Sequence, residues 1–222
     1  MLGIKFVKFQ PSQYVLKYRN GNIVREGSGI SFYYYVPSTS IVAVPTGSSD
    51  AHFIFEEVTS DFQTVTVQGQ ISFRIIEPHK ISKLLNYTLD SAGKGYVSED
   101  PQKLSQRIVN TVRVLTKKTL EGMVLRDAIK SSEMLAHKIW EEIKANEEIN
   151  LLGVEILGLS ILAVLPNKET SRALEAHARE EILRKADEAI YERRNASIEQ
   201  ERRVRENELN TEIAVQNKKN RA

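Results

Sequence analysis

Residues 62–76 read FQTVTVQGQISFRII. Alternate positions are apolar: Val65, Val67, Ile71, Phe73 and Ile75 fall on one side with Gly69 among them. Thr64, Thr66, Gln68, Gln70, Ser72 and Arg74 fall on the other. Period-two alternation of β-branched and aromatic residues predicts a half-buried strand. At ~3.3 Å per residue the stretch would run about 45 Å, long for one strand, so a bend is expected, and Gly69 is the place for it.

On the N-terminal side of this strand the pattern stays extended. Ile4, Phe6 and Phe9 suggest a first strand and residues 13–19 a second; Asn20-Gly21-Asn22 then supplies the positive φ of a tight hairpin turn, and residues 23–26 return. Gly27-Ser28-Gly29 reads as a turn, too short for a phosphate-cradling loop. In residues 30–37, ISFYYYVP, Phe32, Tyr34 and Val36 share one strand face, with Ser31, Tyr33 and Tyr35 on the other. Two accounts of the second face stand: aromatic packing between neighbouring strands, or a tip turned to a bilayer, where amphipathic rings suit the headgroup level. Residues 40–45 and 51–58 are two more strands, joined by the loop Thr46-Gly47-Ser48-Ser49-Asp50.

On the C-terminal side the period changes to that of a helix. Pro78 can open a short helix carrying Ile81, Leu84 and Leu85, and Asp100-Pro101 opens a longer one in which Leu104, Ile108, Val112, Leu115 and Leu120 recur at helical spacing up to Gly122. Ser131 and Ser132 are candidate caps for a helix with Leu135, Ile139 and Ile143 four apart and Trp140 beside them. Residues 152–161 are extended again and the run ends at Pro166. From Asn167 to the last residue the chain is rich in Ala, Glu, Arg and Lys without glycine or proline, which predicts one continuous helix of roughly 80 Å. Its apolar positions are too sparse for the seam of an independent coiled coil. Leu183, Ile190, Val204, Leu209 and Ile213 are therefore the candidate contacts to lateral neighbours. The helical pattern reaches Ala222 without a C-cap, so a longer natural chain is expected.

Several of these stretches carry a family likeness. Glu57-Val58-Thr59-Ser60-Asp61 leading into the long strand, then Arg74-Ile75-Ile76-Glu77-Pro78, resembles the centre of the SPFH or band 7 domain, the domain of stomatins, prohibitins, flotillins and bacterial membrane-protease regulators. Gly27, Gly29 and Pro37 are similar to that family's opening meander, and Gly153-Val154-Glu155-Ile156 to the entry of its last strand. The likeness runs from Tyr14 to the C-terminus. It implies an α+β fold: an N-terminal antiparallel β-rich lobe (1–76), a helix-containing second lobe (77–166) and one long C-terminal helix (167–222) for oligomerisation. It also implies many copies assembled into a ring or cage on a membrane, organising lipids or membrane proteins or limiting a membrane protease. In that family the strand tip and the extreme N-terminus lie against the membrane, which makes Leu2, Ile4, Phe6, Tyr33, Tyr35, Val36 and Pro37 the membrane-contact candidates here. Unlike stomatins and the protease regulators, this sequence is expected to carry no N-terminal membrane hairpin or transmembrane helix. A peripheral scaffold on the cytoplasmic side of a membrane is the first reading, and a soluble multimeric module shielding a protein client is the alternative.

Composition narrows the chemistry. With 222 residues, a formal charge of +2 and basic residues alternating with acids, there is no global case for nucleic acid. Tyr14, Lys17, Tyr18 and Arg19 could stack bases in principle, but read more simply as a strand with one solvated face. Cysteine is absent, removing disulfides, Cys-zinc sites and thiol nucleophiles. His52, His79, His137 and His177 are far apart and show no metal-ligand spacing. Gly93-Lys94-Gly95 lacks the Walker spacing, and Glu56-Glu57 and Glu141-Glu142 are adjacent residues that do not face each other. No catalytic residue, cofactor or metal is expected. The opening MLGIKFVKFQ has no signal-peptide pattern. The most apolar run, residues 151–165, is too short to span a bilayer and contains Glu155.

Overall fold

The computed structural model describes residues 3–219, with side chains described through Ile213; Met1, Leu2 and the last three residues lie outside. Seven strands come first: β1 (Ile4–Lys8), β2 (Gln13–Arg19), β3 (Asn22–Ser28), β4 (Ser31–Tyr35), β5 (Thr39–Pro45), β6 (Ser49–Val58) and β7 (Thr64–Ile75), with a 3-10 turn at Val36–Ser38. Five helices follow: α1 (Pro78–Leu84), α2 (Asp100–Leu120), α3 (Leu125–Lys130), α4 (Ser132–Lys144) and α5 (Glu147–Leu151). Strand β8 (Val154–Pro166) and the 52-residue helix α6 (Lys168–Lys219) close the chain. The α+β order expected from the sequence is the one observed. By their internal contacts, residues 1–167 form one compact unit and residues 168–222 another.

The strands of the first unit form three antiparallel sheets. Strands β1 and β4 form a ribbon, β3-β2-β5 a second sheet and β6-β7-β8 a third. Between the ribbon and the second sheet lies a core of Phe9, Val15, Phe32, Tyr34, Ile41 and Ala43. The opposite face of that sheet buries Leu16, Val42 and Val44, and α1 packs against β5. The β2–β3 hairpin turns where the sequence places it, Asn20 and Gly21 taking φ of 47° and 82°.

Strand β7 is the centre of the third sheet and buries alternate residues, Val65 through Ile75, as its pattern predicts. Its partner β8 stands about ninety residues later in the chain, so the sheet takes two strands from before residue 76 and one from after it. The buried face meets α2, α3 and α4, whose Leu104, Ile108, Val112, Leu135, Ile139 and Ile143 are all buried. Glu57, 7% exposed on β6, is satisfied by Arg113 of α2, whose Nε donates to Oε1 at 2.7 Å.

Gly69 marks a close approach. A Cβ there would lie 2.4 Å from Cζ of Phe53 and 2.5 Å from the Ser160 carbonyl oxygen. The pairing of β7 with β8 shifts register between Gln68 and Gly69 and again between Ser72 and Phe73.

Some local structure departs from the sequence reading. The strand begins at Thr64, because residues 59–63 form a turn: Thr59 Oγ1 donates to Asp61 Oδ1 and accepts from the Gln63 N–H, the Thr59 N–H donates to the Gln63 carbonyl, and Asp61 Oδ1 accepts from the Leu125 N–H at 3.1 Å. Those bonds, Thr59's first, hold the Asp61 carboxyl below its usual range. Strand β6 extends into the expected loop, since Ser49 and Asp50 pair with Phe73 and Ser72. Helix α5 was not evident in the periodicity; the Asn146 side chain caps it, accepting from the Glu148 and Ile149 N–H groups.

Phe62 sits in the 59–63 turn with φ of 57° and is 88% exposed. A left-handed conformation costs a residue with a Cβ about 1–2 kcal/mol, whereas glycine adopts it freely at an entropic cost of about 0.5–1 kcal/mol in the unfolded chain. Phe62→Gly is therefore expected to raise stability by roughly 0.5–1 kcal/mol in urea denaturation. A lower midpoint would show that the exposed ring stabilises the turn.

Candidate membrane-facing pole and assembly helix

The β1–β4 ribbon divides its side chains by the strand period. Its register pairs Ile4 with Tyr35, Phe6 with Tyr33 and Lys8 with Ser31 on one face, and Val7 with Phe32 on the other. The second face enters the core. The first is uncovered: Ile4, Phe6, Tyr33 and Tyr35 are all more than half exposed, and the Phe6 and Tyr33 rings lie 4.9 Å apart. Aromatic packing between neighbouring strands is present on this face too, Tyr33 of β4 meeting Phe6 of β1, yet Tyr33 and Tyr35 both remain at the surface. The ribbon end is held by the Val36 N–H donating to the Gly3 carbonyl at 2.8 Å, with the Tyr35 ring and Pro37 over Gly3. Of the other expected contacts, Pro37 is exposed, Val36 is half-buried against the core and Leu2 lies outside the described residues.

The register brings a second feature to the same end. Arg19, the last residue of β2, pairs with Thr39, the residue after the 3-10 turn, so the Asn20-Gly21 hairpin lies beside the Val36–Ser38 turn. Ile23 and Val24 are exposed on β3 there. Lys17 Nζ donates to the Tyr33 carbonyl at 3.1 Å and stands 4.6 Å from the Phe32 ring centre, with the Arg25 guanidinium 5.9 Å from that ring. Burial first, then the charges of Arg25 and Arg19, push the Lys17 ammonium below its usual range. Sequence reading treated this stretch as an ordinary solvated strand. A countable signal was present: residues 1–49 hold five basic side chains and a single acid, Glu26.

In helix α6 every described side chain from residue 175 to residue 213 is exposed. At about 100° per residue, Leu183, Ile190 and Val204 line one stripe, and Tyr191, Ile198, Leu209 and Ile213 a second, roughly 110° around the helix. Glu181–Lys185, Arg184–Glu188, Glu199–Arg203, Glu201–Arg205 and Arg202–Glu206 form ion pairs one turn apart, each of them exposed. The candidates Leu183, Ile190, Val204, Leu209 and Ile213 thus divide between the two stripes.

Elsewhere the chemistry is plain. No group of three or more His, Asp or Glu among the described residues is placed to hold a metal ion. His79 pairs with Glu26 at 3.2 Å, linking α1 to β3. A groove of about 870 Å³ between α2 and α5 is walled by Val114, Leu115, Ile149 and Leu152. No described helix is long and apolar enough to cross a membrane.

A family model described as the SPFH domain / Band 7 family matches residues 7–215, nearly the whole chain. The chain belongs to this family. SPFH proteins are in general non-enzymatic scaffolds that form oligomers and associate with membranes. No curated protein matches this SPFH chain by sequence.

Proposed function

We propose that this SPFH protein is a non-enzymatic, peripheral scaffold on the cytoplasmic side of a membrane, where many copies assemble into a ring or cage and organise lipids or membrane proteins, a membrane protease among them. The β-rich lobe, 1–76, supplies the membrane side, this lobe and the α/β lobe, 77–166, supply lateral contacts, and segment 167–222 is the assembly helix. The observation that supports membrane contact is the uncovered face of the β1–β4 ribbon, where Ile4, Phe6, Tyr33 and Tyr35 cluster at one pole. Contiguous exposed apolar side chains with amphipathic rings mark an interaction surface, and the headgroup region suits them. The two apolar stripes of α6 support assembly, because each stripe offers a face to a different neighbour.

Burying one aromatic side chain contributes about 1.5–3 kcal/mol, and linked copies multiply weak contacts through avidity. Full-length protein is expected to co-sediment with lipid vesicles, and Phe6→Ser with Tyr35→Ser to weaken binding by about a hundredfold. Equal binding of the two proteins, or no binding of wild type to vesicles of any composition, would sink this reading; the second outcome favours a soluble module around a protein client.

A further inference from the structure

We propose that the membrane pole selects anionic lipid headgroups, through a cationic cluster of Lys17, Arg19 and Arg25 set beside the aromatic ribbon. The inference rests on the membrane reading and adds which membrane surface the pole takes.

Position comes first. Lys17 reaches the Tyr33 carbonyl, so an ammonium stands at the margin of the exposed aromatic face, and the hairpin carrying Arg19 lies beside the Val36–Ser38 turn at the same end of the lobe. Arg25 is paired with Lys17 across β2 and β3. Three cations are therefore grouped on the β2–β3 hairpin beside the ribbon.

Compensation is missing. None of the three takes part in an ion pair among the described residues. Glu26, the single acid of residues 1–49, turns to His79 instead. Elsewhere the chain sets basic residues against acids, most plainly along α6, so a cluster without carboxylates stands out from the protein's own habit. Burial first, and then repulsion from Arg25 and Arg19, depresses the Lys17 ammonium. Anionic headgroups would relieve that repulsion while the aromatic rings enter the interface, each cation near such a surface adding about fivefold in affinity.

The test compares full-length protein on vesicles of phosphatidylcholine alone and on vesicles in which part of it is replaced by phosphatidylglycerol. Wild type is expected to bind the anionic vesicles roughly a hundredfold more tightly, with the preference shrinking as salt rises. Lys17→Gln, Arg19→Gln and Arg25→Gln combined should erase the preference and leave binding to neutral vesicles unchanged. A charge-matched control, Lys83→Gln with Lys130→Gln and Lys138→Gln, should keep it; loss in the control would mean that net charge alone decides, and would overturn the cluster. Binding to both vesicle types without preference overturns the inference and leaves the membrane reading intact, whereas binding to neither overturns both. Competition by inorganic phosphate at constant ionic strength would assign the cluster to a soluble anion and likewise overturn it. Circular dichroism and urea midpoints of the triple variant establish that it is folded, and Lys17→Arg should retain the preference.

Discussion

Gly69→Ala is expected to cost about 3 kcal/mol or more of stability, the largest loss from any single methyl group in this fold. The added Cβ would sit 2.4 Å from the Phe53 ring and 2.5 Å from the Ser160 carbonyl oxygen, both far inside van der Waals contact. Neither neighbour yields easily. Phe53 is 4% exposed and stacks on Phe55 at 5.2 Å between ring centres, so it has no empty volume to enter. Ser160 is backbone of β8 and would have to leave the ladder beside the central strand. Phe53→Leu in the same chain should recover only the part of the loss due to the ring, since the carbonyl contact remains. Urea denaturation of wild type, Gly69→Ala, Phe53→Leu and the double variant measures the coupling. A Gly69→Ala protein as stable as wild type would show that β8 moves aside at little cost.

Dispersal of the assembly by Ile190→Asp with Ile213→Asp is the second large effect expected. The two residues belong to different stripes of α6, so the pair removes one apolar contact from each face a neighbour would use. Burying an unpaired carboxylate in place of each isoleucine turns a favourable contact into a costly one. The exposed ion pairs along the helix are worth about 0–1 kcal/mol each, so they cannot hold the assembly once the apolar contacts are lost. Salt should accordingly loosen the wild-type assembly without abolishing it. Ending the chain after Asn167 should leave a folded monomer, because residues 1–167 carry their own cores. Sedimentation velocity and light scattering decide this: wild type that stays monomeric at high concentration, or an undiminished assembly in the double variant, contradicts the role given to α6.

Much of this protein was written locally in the chain. The alternation in β7, the Asn20-Gly21 turn, the four-residue spacing in α2 and α4 and the glycine-free run of α6 each depend on neighbouring residues, because strand and helix periods are fixed by backbone geometry. Even the split of the tyrosine run, with Tyr34 inward and Tyr33 and Tyr35 outward, follows from that period. Tertiary structure decided the partners. That β1 pairs with β4, and β7 with a strand ninety residues away, depends on long-range hydrogen bonding that no local pattern encodes. The turn at Phe62 was fixed by Thr59, Asp61 and the start of α3, a side-chain network that overrode the alternation. The cationic pole was hidden for a related reason: a whole-chain charge of +2 averages over the acids of the later segments. Only folding sets Lys17, Arg19 and Arg25 against one another beside the exposed rings, where charge is felt by distance in space and not by position in sequence.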